Sequence, residues 1–371
     1  MKIDIIQSTR TRYGVLSAFT HSFARALERA KVRVRMYSSE IPDYEKNPPD
    51  FTLSLFTLPK GEAYAWDHFK IPHIHYAVDR IEYVSELPRS PYLIITVDNR
   101  TSEKMLKEMG YEKVLFLPHA ADRALIDEKG ERPFDLTFLA TCVESSQVRD
   151  KFKKLPPPMG SVLERAVELT LSDLTTSYHD AFLQACYEAD ISKSVLEILD
   201  LGEMLKILEL KIRSKDRIQL VKSIQNIPLH IFGDPFDTLG WQEVLEGQKN
   251  VILHPAVSFD EALQVLQKSR LTLNSIPTIK DGAHERIFYA YLSGALPATN
   301  ENLFLKETFQ DRANILFYPP SKWGELEPKL ETFLGDEELR QEAVDRGREI
   351  VLTHHTWDAR AKTLLDYLKN V

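Results

Sequence analysis

Two periodicities share this chain. Residues 2–7 (Lys-Ile-Asp-Ile-Ile-Gln) form a short apolar run that reads as a buried strand, and the polar loop 8–14 follows it. Leu16, Phe19, Phe23, Leu27 and Ala30 then recur three or four apart, the apolar stripe of an amphipathic helix. Residues 32–37 alternate with period two, as a strand does. Strand, glycine-bearing loop, helix, strand is the opening of a doubly wound sheet. Further strands are expected at 51–58, 73–78, 92–97 and 114–117, with a helix over 101–109 closed by Gly110. The pattern fits one Rossmann-like domain over residues 1–126.

A charged stretch with Gly and Pro at 127–134 reads as a linker, and 135–139 as the first strand of a second domain spanning 134–355. Prolines at 156–158 interrupt that domain, and 161–222 is helical by pattern throughout, so a helical insertion is expected over 156–224. Strand–helix alternation returns at 229–232, 251–253, 271–274, 296–299 and 315–318. Helices are expected between them at 259–269 and near 284–292, and in the tail near 324–334, 336–351 and 358–369. The expected fold class is therefore α/β, two Rossmann-like domains facing a cleft, with a helical insertion in the second. Ligands of such sheets bind at the carboxyl ends of strands, and two facing domains place a site in the cleft between them.

Composition narrows the function classes. Of 371 residues, 43 % are apolar and 27 % charged, a globular balance that excludes extensive disorder. The formal net charge of −8 argues against wrapping a nucleic-acid backbone but not against one local basic groove. Cys142 and Cys186 form no CxxC pair and read as buried thiols in a reducing compartment. The N-terminus lacks the pattern of a signal peptide, and no apolar run of about 18 residues occurs. A cytoplasmic protein is expected.

Motifs exclude more. There is no Gly-x-x-x-x-Gly-Lys-Ser/Thr, no Gly-x-Gly-x-x-Gly after the first strand, no His-Glu-x-x-His and no tight Cys/His cluster. A P-loop NTPase, a standard dinucleotide oxidoreductase and a zinc enzyme all lose ground. His73 with His75 and His354 with His355 are pairs only, so no metal is expected. The loops after strands remain. Gly233 and Asp234 end one strand in a tight turn where backbone could approach a ligand. Arg10, Arg12, Tyr13 and Gly14 follow the first strand and could meet phosphate or acceptor. The densest signal is 271–302, where a strand ends at Asn274 and a loop with Pro277, Asp281 and Gly282 leads to a helix near His284. A helix N-terminus offers unpaired N–H groups to a diphosphate, and Arg286 adds a fork of donors. Asp281 or Glu285 could accept from sugar or ribose hydroxyls.

This segment, 271–302, resembles the donor-site segment of GT-B glycosyltransferases, and among them the CgeB-like (spore maturation protein) group. Other pieces agree in order: Leu-Phe-Leu-Pro-His-Ala-Ala-Asp at 115–122, Phe-Asp-Leu-Thr-Phe-Leu-Ala-Thr at 134–141, and His-Thr-Trp-Asp-Ala-Arg at 355–360. The resemblance implies sugar transfer from a nucleotide-sugar to an acceptor such as a glycan, a lipid-linked sugar or a protein. The second domain would hold the donor, the first the acceptor, and residues 356–371 would pack back on the first. No metal or other cofactor is implied. Among candidate contacts it adds Asn300 and Tyr289. Many GT-B enzymes carry Glu-x7-Glu here; this chain reads Asp281 and Tyr289, with Glu285 one turn earlier as the alternative carboxylate. For the catalytic base the candidates are Asp79, which matches an aspartate of the CgeB-like group, and His119. Two other readings stay open: a binding or scaffold protein with a decayed donor site, which Tyr289 favours, and a sugar-nucleotide epimerase.

Overall fold

A computed structural model describes residues 1–7, 12–38, 43–55, 65–77, 87–125, 130–142, 146–153, 155–233 and 240–371, the backbone alone at 12, 65, 146–149 and 198. The chain divides into two compact units. Unit 1 comprises Met1–Leu125, Ala283–Glu285 and Val351–Val371. Its strands are β1 (Lys2–Ile6), β2 (Arg33–Tyr37), β3 (Phe51–Leu55), β4 (His73–Ala77), β5 (Leu93–Val97) and β6 (Val114–Phe116). They pair in parallel in the order β2-β1-β3-β4-β5-β6.

A parallel sheet is covered on both faces, so its strands are apolar nearly throughout. Ile3, Ile5, Leu53, Ile74, Ile94 and Ile95 are buried accordingly. Asp4 is the exception in β1, and Arg35 of β2 satisfies it with two hydrogen bonds of 2.8 and 2.6 Å. Helix α1 (Val15–Arg29) buries Phe19, Phe23 and Leu27. Next come α2 (Ala65–Phe69) and α3 (Arg100–Glu108), the latter started by Asn99, whose side chain accepts from Thr101 N. Gly110 lies just beyond it at φ 86°, the left-handed conformation that ends helices.

Unit 2 comprises Ile126–Gly282 and Arg286–Ile350. Its strands are β7 (Phe134–Leu139), β8 (Leu229–Phe232), β9 (Val251–His254), β10 (Ser269–Leu273), β11 (Leu296–Asn300) and β12 (Leu316–Tyr318). All pair in parallel, in the order β12-β11-β10-β7-β8-β9. This is the doubly wound order in which winding reverses between the first and fourth strands, here β7 and β10, and ligands of such sheets sit at that reversal.

Between β7 and β8 lie α4 (Ser146–Lys153), α5 (Pro157–Ser172), α6 (Tyr178–Glu188), α7 (Lys193–Ile198) and α8 (Leu201–Lys222). The three prolines do not merely interrupt the chain: Pro157 and Pro158 occupy the first turn of α5, where a missing N–H goes unused. These helices bury a core of their own, including Met159, Leu163, Phe182, Ile207 and Leu208. The alternation resumes with α9 (Gly240–Val244), α10 (Phe259–Gln267), α11 (Glu285–Leu292), α12 (Leu303–Thr308), α13 (Glu327–Gly335) and α14 (Glu337–His354). Ser258 and Glu261 form a capping box on α10. Arg132, within the stretch read as a linker, donates to Ser269 O at 2.9 Å and Ser293 O at 3.0 Å.

The tail completes unit 1. Helix α15 (Trp357–Leu368), capped by Thr356, packs on α1. Trp357 is fully buried, with its ring 5.3 Å from Phe19 and 5.6 Å from Phe23.

Candidate active site

The carboxyl end of β7 gathers positive charge. Arg217 of α8 donates Nη1 to Thr141 O at 2.8 Å, and Arg286 of α11 donates Nη1 to Leu139 O at 2.9 Å. Both acceptors lie at the end of β7, beside the point where the sheet order reverses. Arg217 is 5 % exposed. Burial, and then the charges of Arg213 and Arg286, push its guanidinium well below the ordinary arginine range. Arg213, four residues earlier, bonds Glu209 at 3.0 Å. Nε of Arg217 is buried with no hydrogen-bond partner among the described residues, and so is Oδ1 of Asn274 at the end of β10. Clustered like charges with an unused buried donor suit an anionic ligand. Arg286 was a sequence candidate; Arg213 and Arg217 were not. Only their recurrence four apart inside a helical pattern hinted at a shared face, and that pattern reads equally well as solvated surface.

The loop after β10 is fixed from several directions. Asn274 donates Nδ2 to Thr299 Oγ1 at 3.0 Å. Ser275 donates to the buried carboxylate of Asp216 at 2.6 Å, which also receives Tyr318 OH at 3.0 Å and Trp323 Nε1 at 2.7 Å. Asn300, a sequence candidate for ligand contact, accepts from Ile276 N at 2.8 Å and so holds the loop. Lys280 is 5 % exposed and donates Nζ to Thr170 O and Asp173 O at the carboxyl end of α5. Burial pushes its ammonium down to about 8. Asn302 donates to Gly282 O at 2.8 Å. Pro277 and Gly282 are buried and Asp281 half-buried. Tyr289 is 2 % exposed and meets Phe259 edge-on at 5.3 Å, so its ring is part of the core of unit 2.

In unit 1 a carboxylate organises two imidazoles. Oε2 of Glu285 lies 2.8 Å from Nδ1 of His119 and 2.8 Å from Nδ1 of His284. Burial pushes the Glu285 carboxyl up, but the adjacent His284 and the hydrogen bond from His119 outweigh it and hold the group well below the carboxylate range. An ionised carboxylate can only accept, so both imidazoles donate through Nδ1. Nε2 of His119 lies 3.6 Å from Oδ2 of Asp98. A carboxylate bonded to one nitrogen of an imidazole is the way a general base is oriented from behind. The ring of Phe19 walls His119 at 5.7 Å, edge to face. Glu285 belongs to unit 1 and the next residue, Arg286, to unit 2.

The remaining candidates divide. Asp79, Arg10 and Asp234 lie outside the described residues, as does the side chain of Arg12. Tyr13 is exposed at φ 62°, and Gly14 at φ 79° forms the N-cap of α1 without a side-chain cap. Gly233 is constrained by protein: a Cβ there would meet Ala140 O at 2.4 Å.

A family model described as glycosyl transferase-like matches residues 213–366, which include Arg213, Arg217 and the whole 271–302 segment. No curated protein matches by sequence. Among solved structures, phage T4 BGT in complex with its UDP-glucose substrate is similar at TM-score 0.58 and 11 % identity, over 100 % of this chain and 99 % of that one. HepE of Anabaena in complex with UDP-glucose is similar at TM-score 0.55 and 11 % identity, over 100 % of both chains. TarM is a longer protein: the match has TM-score 0.48 and 9 % identity, covering 85 % of this chain and 54 % of that one. The α/β fold with two parallel six-stranded sheets is thus that of GT-B glycosyltransferases, as the sequence led us to expect. Among the described residues no helix is long and apolar enough to cross a membrane.

Proposed function

We propose that this chain is a glycosyltransferase that moves a sugar from a nucleoside-diphosphate donor to an acceptor hydroxyl without a metal. The observation that carries the reading is the guanidinium of Arg217, buried beside Arg286 and Arg213 at the reversal of the unit 2 sheet with Nε unpartnered among the described residues. A diphosphate would supply an acceptor oxygen for Nε of Arg217 and negative charge beside the three guanidiniums.

In the proposed reaction the acceptor hydroxyl gives its proton to a base, for which His119 is the candidate, as its oxygen bonds the anomeric carbon. The bond from that carbon to the diphosphate breaks, and Arg217 and Arg286 stabilise the charge on the departing phosphate. Glu285 holds His119 in the required tautomer and, with Asp98, stabilises the imidazolium formed. A base acting directly on the acceptor suits a single displacement with inversion. UDP-glucose, bound in the T4 and Anabaena structures, is the first donor to try.

Thermal unfolding with UDP-, GDP-, dTDP- and ADP-sugars tests this reading. Ligand at about 100 times Kd adds about 2.7 kcal/mol of stability by mass action. The expected result is a rise with one nucleotide class, lost in Arg217→Met, together with slow release of free sugar by hydrolysis. No rise at millimolar concentration with any of the four, and no sugar released, would overturn it. Binding without any turnover would favour the scaffold reading, to which the buried ring of Tyr289 lends support. Conversion of the donor sugar without an acceptor would identify an epimerase.

A further inference from the structure

Asn274, just past β10, has an amide that is locked in place and only half used. The residue is 1 % exposed. Its backbone N–H donates to Ala298 O at 2.8 Å, and its Nδ2 donates to Thr299 Oγ1 at 3.0 Å. The two residues that follow are fixed as well: Ser275 donates to Asp216 at 2.6 Å, and Ile276 N donates to Asn300 at 2.8 Å. With backbone and Nδ2 both held, the amide has no freedom to swing toward another group. Oδ1 is left buried with no hydrogen-bond partner among the described residues. Buried amide oxygens are normally bonded, so one held unpaired by a rigid frame calls for a partner from outside the chain.

The surroundings say what kind of group that is. Leu273 is in register with Phe138 of β7, so Asn274 stands beside Leu139, whose carbonyl holds Arg286. Ser275 bonds Asp216, the residue before Arg217. The unpaired oxygen therefore belongs to the same strand ends of unit 2 as the guanidiniums that would take the diphosphate. It does not suit phosphate itself. An amide oxygen only accepts, and the diphosphate of a nucleotide-sugar carries no proton to give at neutral pH. The groups attached to that diphosphate on its two sides are the ribose and the sugar, and both carry hydroxyls.

We propose that Asn274 is a specificity-determining residue, whose Oδ1 accepts a hydrogen bond from a donor hydroxyl next to the diphosphate. The inference rests on the reading of the Arg217 site given above. The fold has already stripped water from Oδ1, so the bond forms on binding without that penalty. A site of this kind rejects an analogue that lacks the hydroxyl more sharply than an apolar pocket rejects a change of size.

Calorimetric titration of the full chain, wild type and Asn274→Leu, tests it. The probes are UDP, UDP lacking either ribose hydroxyl, UDP-glucose, and UDP-glucose lacking one sugar hydroxyl at a time. The wild type is expected to bind one deoxygenated probe about 5- to 100-fold more weakly than its parent. In Asn274→Leu that ratio should fall to about one, because the partner of the missing hydroxyl is gone. A ratio confined to the ribose analogues assigns the bond to the nucleoside, and one confined to the sugar analogues assigns it to the transferred group. A structural role for Asn274 would weaken parent and analogue alike and keep the ratio of the wild type. That outcome, or a wild type that discriminates against no analogue, would overturn the proposal. So would an Asn274→Leu protein that binds every probe as the wild type does, which would assign Oδ1 to an internal water. Should Asn274→Leu fail to fold, Asn274→Ala carries the same comparison. Binding of no probe by the wild type would sink the nucleotide-sugar reading and this inference with it, whereas tight binding with an unchanged ratio sinks this inference alone.

Discussion

Nδ1 of His119 stands 2.8 Å from Oε2 of Glu285, and both side chains are buried. The same oxygen lies 2.8 Å from Nδ1 of His284, so one carboxylate holds two imidazoles. Glu285→Gln is expected to lower stability by about 1.5–3 kcal/mol, the usual worth of a hydrogen bond to a charged group. The pH dependence has a definite sign. The folded carboxyl is held well below its unfolded value, so its contribution is complete above that value and is lost as pH falls toward the folded one. Below roughly pH 4.3 the wild type should therefore lose stability faster than Glu285→Gln. Urea unfolding of both proteins at pH 7, 4.5 and 3.5 measures it; parallel losses in the two would show that Glu285 has no such linkage.

Arg217 and Arg286 place two cations near one strand end, and Arg213 adds a third. Asp216 and Glu209 favour the charge of Arg217, but burial and the two like charges outweigh them. Arg217→Met removes a buried charge and keeps much of the volume, so the free protein should change by less than about 1.5 kcal/mol. Its affinity for UDP should fall at least about 10-fold, the scale of one charge-assisted contact. Calorimetric titration with UDP, beside unfolding without it, separates the two effects. A large loss of stability with unchanged affinity would make Arg217 a structural residue.

Periodicity made most of the fold legible. The strand at 2–7, the amphipathic helix from Leu16 and the return of alternation after Pro228 all appear within a residue or two. Helices α2, α9 and α12 did not, because five or six residues hold too few turns to show a period. The site was half legible. The stretch from Asn274 to Arg286 stood out through its loop residues between strand and helix. Arg217 did not, since one arginine among Lys211, Arg213 and Lys215 has the pattern of a solvated helix face until α8 is seen against β7. The pairing of His119 with Glu285 spans 166 residues, beyond any local pattern. Asn300 and Tyr289 were read as ligand contacts because they sit where the family pattern places them; here the first holds Ile276 N and the second lies against Phe259.

Lys280 gives a second pH test with the opposite slope. Burial lowers its ammonium to about 8, against about 10.4 in the unfolded chain. Below pH 8 both states hold the proton, and the folded protein bears the full penalty of the buried charge. As pH rises from 8 toward 10.4 only the unfolded state keeps it, so the folded state gains, by roughly 3 kcal/mol at the limit. The charges facing the ammonium are Asp173 beyond α5 and Asp216 on α8, and both favour the proton. Lys280→Met has no such group. The stability of the wild type relative to Lys280→Met should therefore rise between pH 7 and pH 9.5, as read from chemical unfolding at each pH. A constant difference would mean that Lys280 titrates alike in both states.

Gly233 ends β8 against the backbone of its neighbour. A Cβ there would stand 2.4 Å from Ala140 O and 3.3 Å from Nε1 of Trp241. Trp241 donates Nε1 to that same carbonyl at 2.9 Å and is 4 % exposed, so neither neighbour has a free path to retreat. Gly233→Ala must then shift β8 or the end of β7, and overpacking of this kind costs about 1–3 kcal/mol. Because Ala140 lies between Leu139 and Thr141, the carbonyls that hold Arg286 and Arg217, the same shift should loosen both guanidiniums. The variant is expected to unfold at lower denaturant and to bind UDP more weakly. If affinity falls while stability holds, Gly233 serves a ligand approaching its backbone, as the tight turn in the sequence first suggested, and close packing against Ala140 is not its principal role.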